Sequence, residues 1–307
     1  MADDTGRRST RQDQDAPPAA GRVVWPISQA APCVVSSPHS GSYYPPDLLR
    51  DSCLDPVTLR LSEDCHVDAL CAAAPQLGLP LIAAAYARAY VDCNRDAWEL
   101  DPEMFSDPLP DYVNAGSQGV LTGFGTVPRQ VTPQHAIYDR PLRFAQARRR
   151  IETVHRPYHE ALRRALERTR RQFGCAFLID MHSMPSLPPQ RGRPTLERRT
   201  PPAFVLGDRY GETAPRAFVD DVDGFLADLG FPVGRNIPYA GGFITQHYGG
   251  HPASGIYALQ IEIDRALYMN QHTLEPGTGF EATKQVLTAL LTHIADWTRA
   301  FARKAAE

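Results

Sequence analysis

Two histidines and a glutamate stand near the ends of apolar runs that have the length of a β-strand. Residues 176–185 read Ala-Phe-Leu-Ile-Asp-Met-His-Ser-Met-Pro, so that His182 comes just before a helix-excluding proline. His39 lies in a Pro-His-Ser-Gly motif that ends a second apolar run, and Glu262 lies in an alternating run that ends at Asp264. In open α/β sheets, side chains at the carboxyl ends of strands face the crevice where ligands bind. These residues therefore predict a metal site or an acid–base site.

The elements that must position these residues alternate between strand and helix. Apolar runs bounded by Gly, Pro and polar residues predict strands in five regions, which are residues 22–37 (a strand pair), 79–85, 176–184, 203–206 and 258–264. Apolar residues recurring on one helical face predict helices at residues 48–74, 142–173, 214–229 and 280–305. This alternation predicts an α/β fold, a three-layer sandwich around a mostly parallel or mixed central sheet.

Between these elements, residues 96–141 hold many prolines and glycines and no long periodic run. A segment of this length inside a compact domain is more often a binding insertion or lid than a plain connection. The helix over residues 142–173 that follows is rich in arginine, and Pro157 should kink it. We interpret its arginines as a solvated helix face, because the acidic total charge opposes binding to nucleic acid.

Composition describes an ordinary globular chain. Its 307 residues are 43% hydrophobic and 22% charged, with a net charge of −3, so neither nucleic acid nor other polyanions are expected partners. Six cysteines without a Cys-x-x-Cys pair predict reduced thiols and a cytoplasmic location, and no apolar run reaches the length of a membrane span. Residues 1–21 predict a disordered tail, followed by one compact domain over residues 22–307.

Six short motifs follow one another along the chain. They are Ser-Pro-His-Ser-Gly (37–41), Ser-Glu-Asp-Cys-His-Val-Asp (62–68), Val-Asp-Cys-Asn-Arg (91–95), Asp-Met-His-Ser (180–183), Gly-Gly-Phe-Ile-Thr-Gln-His-Tyr-Gly (241–249) and Ala-Leu-Gln-Ile-Glu-Ile (258–263). In this order they resemble the N-formylglutamate amidohydrolase family, and the resemblance covers residues 34–268. It implies a phosphorylase/hydrolase-like fold of the zinc carboxypeptidase and aspartoacylase group, with one catalytic Zn²⁺.

A catalytic zinc takes about three His or carboxylate ligands and keeps one open position. His39 and His182 are the expected nitrogen ligands. The carboxypeptidase pattern places a glutamate three residues after its first histidine, but Ser42 stands there in this chain, so the oxygen ligand must come from elsewhere. We prefer Asp64 from the Ser-Glu-Asp motif. The alternatives are Glu63, His66 and Asp68, of which Asp68 could instead orient a histidine from outside the site.

The resemblance implies that Glu262 is the carboxylate that takes a proton from water and returns it to the leaving amine. Burial beside apolar neighbours would raise its pKa towards neutrality, as a general base requires. The alternative is an ordinary salt bridge to Arg265.

Asn94 and Arg95 match the pair that holds a substrate carboxylate in carboxypeptidase-like enzymes, because a guanidinium fork meets a carboxylate with two charge-assisted hydrogen bonds. Arg88 either assists this pair or forms a salt bridge with Asp92. On predicted loops over the site, Arg129, Gln246 and Tyr248 are candidates for substrate recognition.

We therefore hypothesise a zinc-dependent amidohydrolase that cleaves a small N-acyl amino acid with a carboxylate, such as N-formylglutamate or an analogue. Family members often carry a charged residue at the position of Gln246 and an arginine near Gly119, so the acyl or amine part of the substrate is expected to differ here. The alternatives are a hydrolase of another amide or peptide-like biosynthetic intermediate, and a metal-free binding protein without turnover.

Overall fold

A central sheet organises the protein, whose computed structural model describes residues 17–187 and 201–306. Its seven strands are ordered β1-β3-β2-β6-β9-β7-β8. Their bounds are Gly21–Val24 (β1), Cys33–Ser37 (β2), Leu81–Ala84 (β3), Ala176–Met184 (β6), Phe204–Gly207 (β7), Val233–Arg235 (β8) and Ile256–Asp264 (β9). A separate small hairpin is formed by Gln130–Thr132 (β4) and His135–Ala136 (β5).

The middle of the sheet is parallel, as the sequence predicted. Strands β3, β2, β6 and β9 run in one direction, and four of the six pairings are parallel. Strand β1 is antiparallel to β3, and β7 is antiparallel to β9. The expected strand pair at residues 22–37 consists of β1 and β2, but β3 lies between them, so they do not bond to each other.

Helices cover both faces of the sheet. Their bounds are Pro46–Asp51 (α1), Pro56–Leu59 (α2), Val67–Leu70 (α3), Gln118–Leu121 (α4), Phe144–Arg150 (α5), Arg156–Phe173 (α6), Arg216–Asp228 (α7), Phe243–Gly249 (α8) and Phe280–Ala306 (α9). Alternation along β6 sends Phe177 and Ile179 into a core shared with α3, α7 and α9, whereas Leu178 enters a core shared with α6 and α8. The three-layer arrangement is thus confirmed.

The helix predicted at residues 48–74 is wrong as one element. It is divided into α1, α2, a 3-10 turn at Arg60–Ser62, and α3. Asp55 caps α2 by accepting from the Val57 and Thr58 amides. The chain then leaves the helix at Glu63 and Asp64, which are both buried, and His66 adopts a left-handed φ of 65°.

The basic helical segment is interrupted close to the expected kink. A π-helical turn, Ile151–His155, joins α5 to α6, and Pro157 lies in the first turn of α6. Proline has no amide hydrogen to continue the helical bonding, which favours irregular geometry in the turn before it. Gly174, at φ 81°, ends α6.

Three further predictions concern the N-terminal tail, the cysteines and membrane-spanning helices. Residues 1–16 lie outside the described residues, so the disordered tail stays a prediction; Ala20 is already buried and β1 begins at Gly21. All six cysteines are free thiols, and Cys53 is the exposed one among them. In the described ranges, no helix combines the length and apolar character that crossing a membrane requires.

Candidate active site

Three buried side chains from separate parts of the chain meet at one edge of the sheet. His39 follows β2, His182 lies on the neighbouring strand β6, and Asp64 enters from the break before α3. The Nδ1 atoms of His39 and His182 lie 3.3 and 3.0 Å from the same oxygen, Oδ2 of Asp64. The two ring centroids are 4.7 Å apart. The structure thus brings together the three residues that the sequence predicted as metal ligands.

Two further carboxylates hold the outer nitrogens of these imidazoles. His39 Nε2 lies 2.7 Å from Asp92 Oδ1, and His182 Nε2 lies 3.0 Å from Asp180 Oδ2. Asp180 is itself fixed by the Ser36 hydroxyl, which donates at 2.7 Å. Carboxylates in this position set the tautomer and the orientation of metal-binding histidines, here with both Nδ1 atoms turned inward.

The arrangement fits a divalent cation. Among the described residues, His39 Nδ1 is buried and has no hydrogen-bond partner. One ligand atom from each of His39, Asp64 and His182 lies within 4.8 Å of the others. Two imidazoles and one carboxylate are a common ligand set for catalytic zinc, and they leave a position open. This cluster could therefore hold a metal ion.

The alternative ligand candidates, Glu63, His66 and Asp68, form contacts elsewhere. Glu63 contacts Tyr44 and Arg60, and the His66 ring bonds to the Leu274 carbonyl. Asp68 forms a 2.7 Å salt bridge with the exposed Arg22. The prediction that Asp68 could orient a histidine is wrong; Asp92 and Asp180 do so instead.

Charge in the cluster is balanced by a buried arginine. Arg265 Nη2 donates to Asp64 Oδ1 at 3.0 Å and to the Glu63 carbonyl at 2.6 Å. Burial alone would raise the pKa of Asp64, but the hydrogen bond with His182 and the adjacent His39 imidazole outweigh it and hold that pKa well below its usual range. Burial alone would lower the pKa of His182, but Asp180 and Asp64 raise it well above the ordinary value.

Glu262 lies beside this cluster because of strand register. On the adjacent parallel strands β6 and β9, Glu262 pairs directly with His182. Its carboxylate accepts a 2.9 Å hydrogen bond from the Gln260 side chain, whose oxygen accepts from the Gly242 amide at 2.8 Å. Burial raises the pKa of Glu262 to about 7, although the nearby His182 opposes the shift. The alternative salt bridge to Arg265 is not formed, because Arg265 bonds to Asp64.

The predicted carboxylate-binding pair adjoins the cluster through Asp92. The Asn94 amide donates to Asp92 Oδ1 at 2.7 Å, and the Asn94 side-chain nitrogen lies 3.3 Å from His182 Nε2. Of the two alternatives for Arg88, the structure shows the salt bridge, at 2.9 Å from Asp92 Oδ2. Arg95 Nε is 3.9 Å from the same oxygen and, over the described ranges, has no hydrogen-bond partner. Arg95 thus has donors to spare, whereas Arg88 is tied to Asp92 through its Nε atom.

The loop candidates are not brought to the cluster in the same way. Arg129 bonds to Asp101 at 2.8 Å and contacts Glu103, all within the insertion. Gln246 is exposed, and Tyr248 is buried on α8 with its hydroxyl at His159. Sequence reasoning gave no role to Asp180 and Gln260, although each lies two residues before a site residue on the same strand and so shares its face.

Comparisons with known proteins agree with the motifs. The family model described as N-formylglutamate amidohydrolase matches residues 31–269. An N-formylglutamate deformylase from Pseudomonas putida is 31% identical over 273 residues, which cover 87% of this chain and 93% of that protein. A second, from Pseudomonas aeruginosa, is 29% identical over 274 residues, covering 87% and 94% of the two chains. The crystal structure of an N-formylglutamate amidohydrolase from Ralstonia eutropha JMP134 superposes with a TM-score of 0.83 at 37% identity, covering 91% of this chain and 98% of that one.

Proposed function

The chain belongs to the N-formylglutamate amidohydrolase family, and from this premise we propose that it is a zinc-dependent amidohydrolase acting on a small N-acyl amino acid such as N-formylglutamate or an analogue. The observation that carries the proposal is the meeting of His39, Asp64 and His182 one strand away from Glu262. The same proposal gives residues 22–307 as a single catalytic domain with a zinc carboxypeptidase-like fold, which the mixed, mostly parallel sheet supports.

His39, Asp64 and His182 would hold the cation, which supplies a Lewis acid that polarises an amide carbonyl and acidifies water. Glu262 takes a proton from the attacking water and transfers it to the amine nitrogen as the carbon–nitrogen bond breaks, so that the acid and the free amine leave as separate products. A carboxyl whose pKa is about 7 can do both near neutral pH. Gln260 keeps the Glu262 carboxylate in one orientation.

Substrate carboxylate binding falls to Asn94 and Arg95. Arg95 has a side chain that is 30% exposed, so its guanidinium can reach a ligand, and Asp92 anchors it from the inner side. Arg88 is already paired with Asp92, and we assign it to the support of that carboxylate. Binding of the carboxylate by Asn94 and Arg95 fixes one end of a small substrate, and this orients its acyl group towards His39, Asp64 and His182.

We further propose that the substrate differs from N-formylglutamate in its acyl or amine part. Gly119 packs against Arg95, and a Cβ atom there would lie 3.2 Å from Arg95 Cζ and 2.9 Å from the Phe124 carbonyl oxygen. An arginine at this position does not fit with the present backbone. With Gln246 uncharged, partners for a second substrate carboxylate are fewer than the family resemblance implies, namely a charged residue at position 246 and an arginine near Gly119.

The first test is metal analysis of the purified protein with the variants His39→Ala and His182→Ala. We expect one zinc per chain in the wild type and loss of zinc in both variants, with His272→Ala, an exposed histidine, as the matched control. Stoichiometric zinc in both site variants would refute the metal assignment.

The second test is hydrolysis, followed as release of the free acid from N-formylglutamate and from N-acyl amino acids whose side chains are uncharged. Turnover of any of them supports an amidohydrolase. If the protein cleaves N-formylglutamate efficiently and none of the other compounds, the proposal that its substrate differs from N-formylglutamate is wrong, and the protein is an N-formylglutamate deformylase. A zinc-loaded protein that binds these compounds tightly without cleaving them would favour the binding-protein alternative.

A further inference from the structure

Two histidines behind the active site hold the backbone on both sides of Asn94. His159 Nε2 lies 2.8 Å from the Cys93 carbonyl oxygen, and His155 Nε2 lies 2.8 Å from the Arg95 carbonyl oxygen. A carbonyl oxygen only accepts, so both imidazoles carry their proton on Nε2. The bond to the segment 93–95 therefore fixes the tautomer of each ring.

The helix is built to present these two rings together. His155 is the last residue of the π-helical turn and His159 lies in the first turns of α6, so they fall on one side of the helix, with ring centroids 4.4 Å apart. Burial is the main cause that lowers the pKa of both, that of His159 to about 3. A lowered pKa favours the neutral imidazole in both, so neither is a charge partner for the substrate.

Helix α8 completes the support. The Tyr248 hydroxyl lies 3.0 Å from His159 Nδ1 and 3.2 Å from the His159 carbonyl oxygen, and both atoms are acceptors because the imidazole proton is on Nε2. Four residues earlier, the Ile244 amide donates to Asn94 Oδ1 at 2.8 Å. Asn94 is thus held through its side chain by α8 and through the flanking carbonyls by the histidines. Tyr248, which the sequence predicted as a substrate-binding residue, contacts His159 in the structure.

We propose that His155, His159 and Tyr248 are positioning residues, which fix the Cys93–Arg95 backbone so that Asn94 and Arg95 present a preformed carboxylate-binding site. This inference rests on the proposed function. It predicts that the two histidines affect substrate affinity and do not affect the proton transfer at Glu262. A leucine or phenylalanine would pack between α6 and the sheet without satisfying either carbonyl, which identifies the hydrogen bonds as the reason for imidazole here.

The test is steady-state kinetics of zinc-loaded His159→Leu, His159→Gln, His155→Gln and Tyr248→Phe on N-formylglutamate and on its two monoamides, in which one carboxylate is a carboxamide. His159→Leu is expected to raise KM about 3- to 10-fold with kcat changed less than about threefold, since the hydrogen bond that holds the Cys93 carbonyl beside Asn94 is lost. The ratio of kcat/KM between the carboxylate and the affected monoamide should fall by the same factor. His159→Gln retains a donor and should restore both values.

His293→Gln is the matched control, because His293 bonds to Asp221 and stacks on Phe225 beneath the opposite face of the sheet. Its KM and selectivity should equal those of the wild type. A variant set that loses thermal stability but keeps wild-type KM and selectivity would overturn the positioning role. If His159→Leu does not fold, His159→Gln and Tyr248→Phe carry the same comparison. A wild type that cleaves neither these compounds nor N-acyl amino acids with uncharged side chains would instead overturn the proposed function, and this assignment with it.

Discussion

Replacing Gln260 with methionine should shift the pH dependence of kcat/KM for the proposed hydrolysis and leave the zinc content of the protein unchanged. Gln260 donates to Glu262 Oε1 at 2.9 Å, and Gln260→Met keeps the length of the side chain but removes the donor. A hydrogen bond to a charged group is worth about 1.5–3 kcal/mol, and about 1.4 kcal/mol corresponds to one pKa unit. Because the donor favours the ionised carboxylate, its loss raises the pKa of Glu262 above about 7, by about one to two units.

The sign follows from the role of the base. Glu262 acts when ionised, so kcat/KM rises with pH through its pKa, and the variant needs a higher pH to reach the same ionised fraction. At pH 6 a shift of one unit lowers kcat/KM about tenfold, whereas well above both pKa values the shift itself changes nothing. The assay is therefore the midpoint of the acid limb of kcat/KM against pH, measured at a fixed zinc content.

A second buried glutamine supplies the control. Gln29 is buried and donates to Thr169 Oγ1 at 2.8 Å in the packing of α6, away from the cluster. Gln29→Met should lower stability and leave the acid limb where the wild type has it. An acid limb in Gln260→Met that stays in place, or that moves to lower pH, would refute the assignment of Glu262 as the base held by Gln260.

Two other substitutions test the neighbours of the cluster. Arg265→Met should lower the free energy of unfolding of the metal-free protein by about 3 kcal/mol in urea denaturation, because it leaves the buried Asp64 carboxylate without its cation; a change under about 1 kcal/mol would contradict that role. Arg95→Lys should raise KM for a carboxylate substrate about tenfold with less effect on kcat, since an ammonium cannot make the paired hydrogen bonds of the fork. Equal KM values for the two proteins would exclude Arg95 from substrate binding.

Much of the site could be predicted because its residues sit on strands with a simple period. The nine residues of β6 are all buried. Its apolar residues indicated the strand, and the polar Asp180 and His182 near its end indicated the site. Alternation likewise placed Glu262 on one face of β9. The parallel order of the strands then brings His39 and His182 to one edge of the sheet.

The hydrophobic pattern of a single segment could not predict side-chain contacts between residues that are far apart in the sequence. Asp64 and Glu63 read as part of a helix, yet they leave it because Arg265, some 200 positions later, bonds to both. A salt bridge between Asp92 and Arg88 was one of two alternatives, and the additional bond of Asp92 to His39 depends on how β2 and the segment after β3 approach each other. Periodicity carries no signal for such pairings, because it reports burial along one element and not the partner.

The ladder between β6 and β9 has a consequence for how this enzyme could be re-engineered. His182 and Glu262 face each other through backbone pairing in the most deeply buried part of the sheet, so their separation is insulated from changes in the surrounding loops. Gly119 and Glu99, which lie next to the proposed carboxylate-binding Arg95, belong to segment 96–141. Grafting that segment from a relative should therefore exchange substrate preference as a module while the reacting groups keep their spacing.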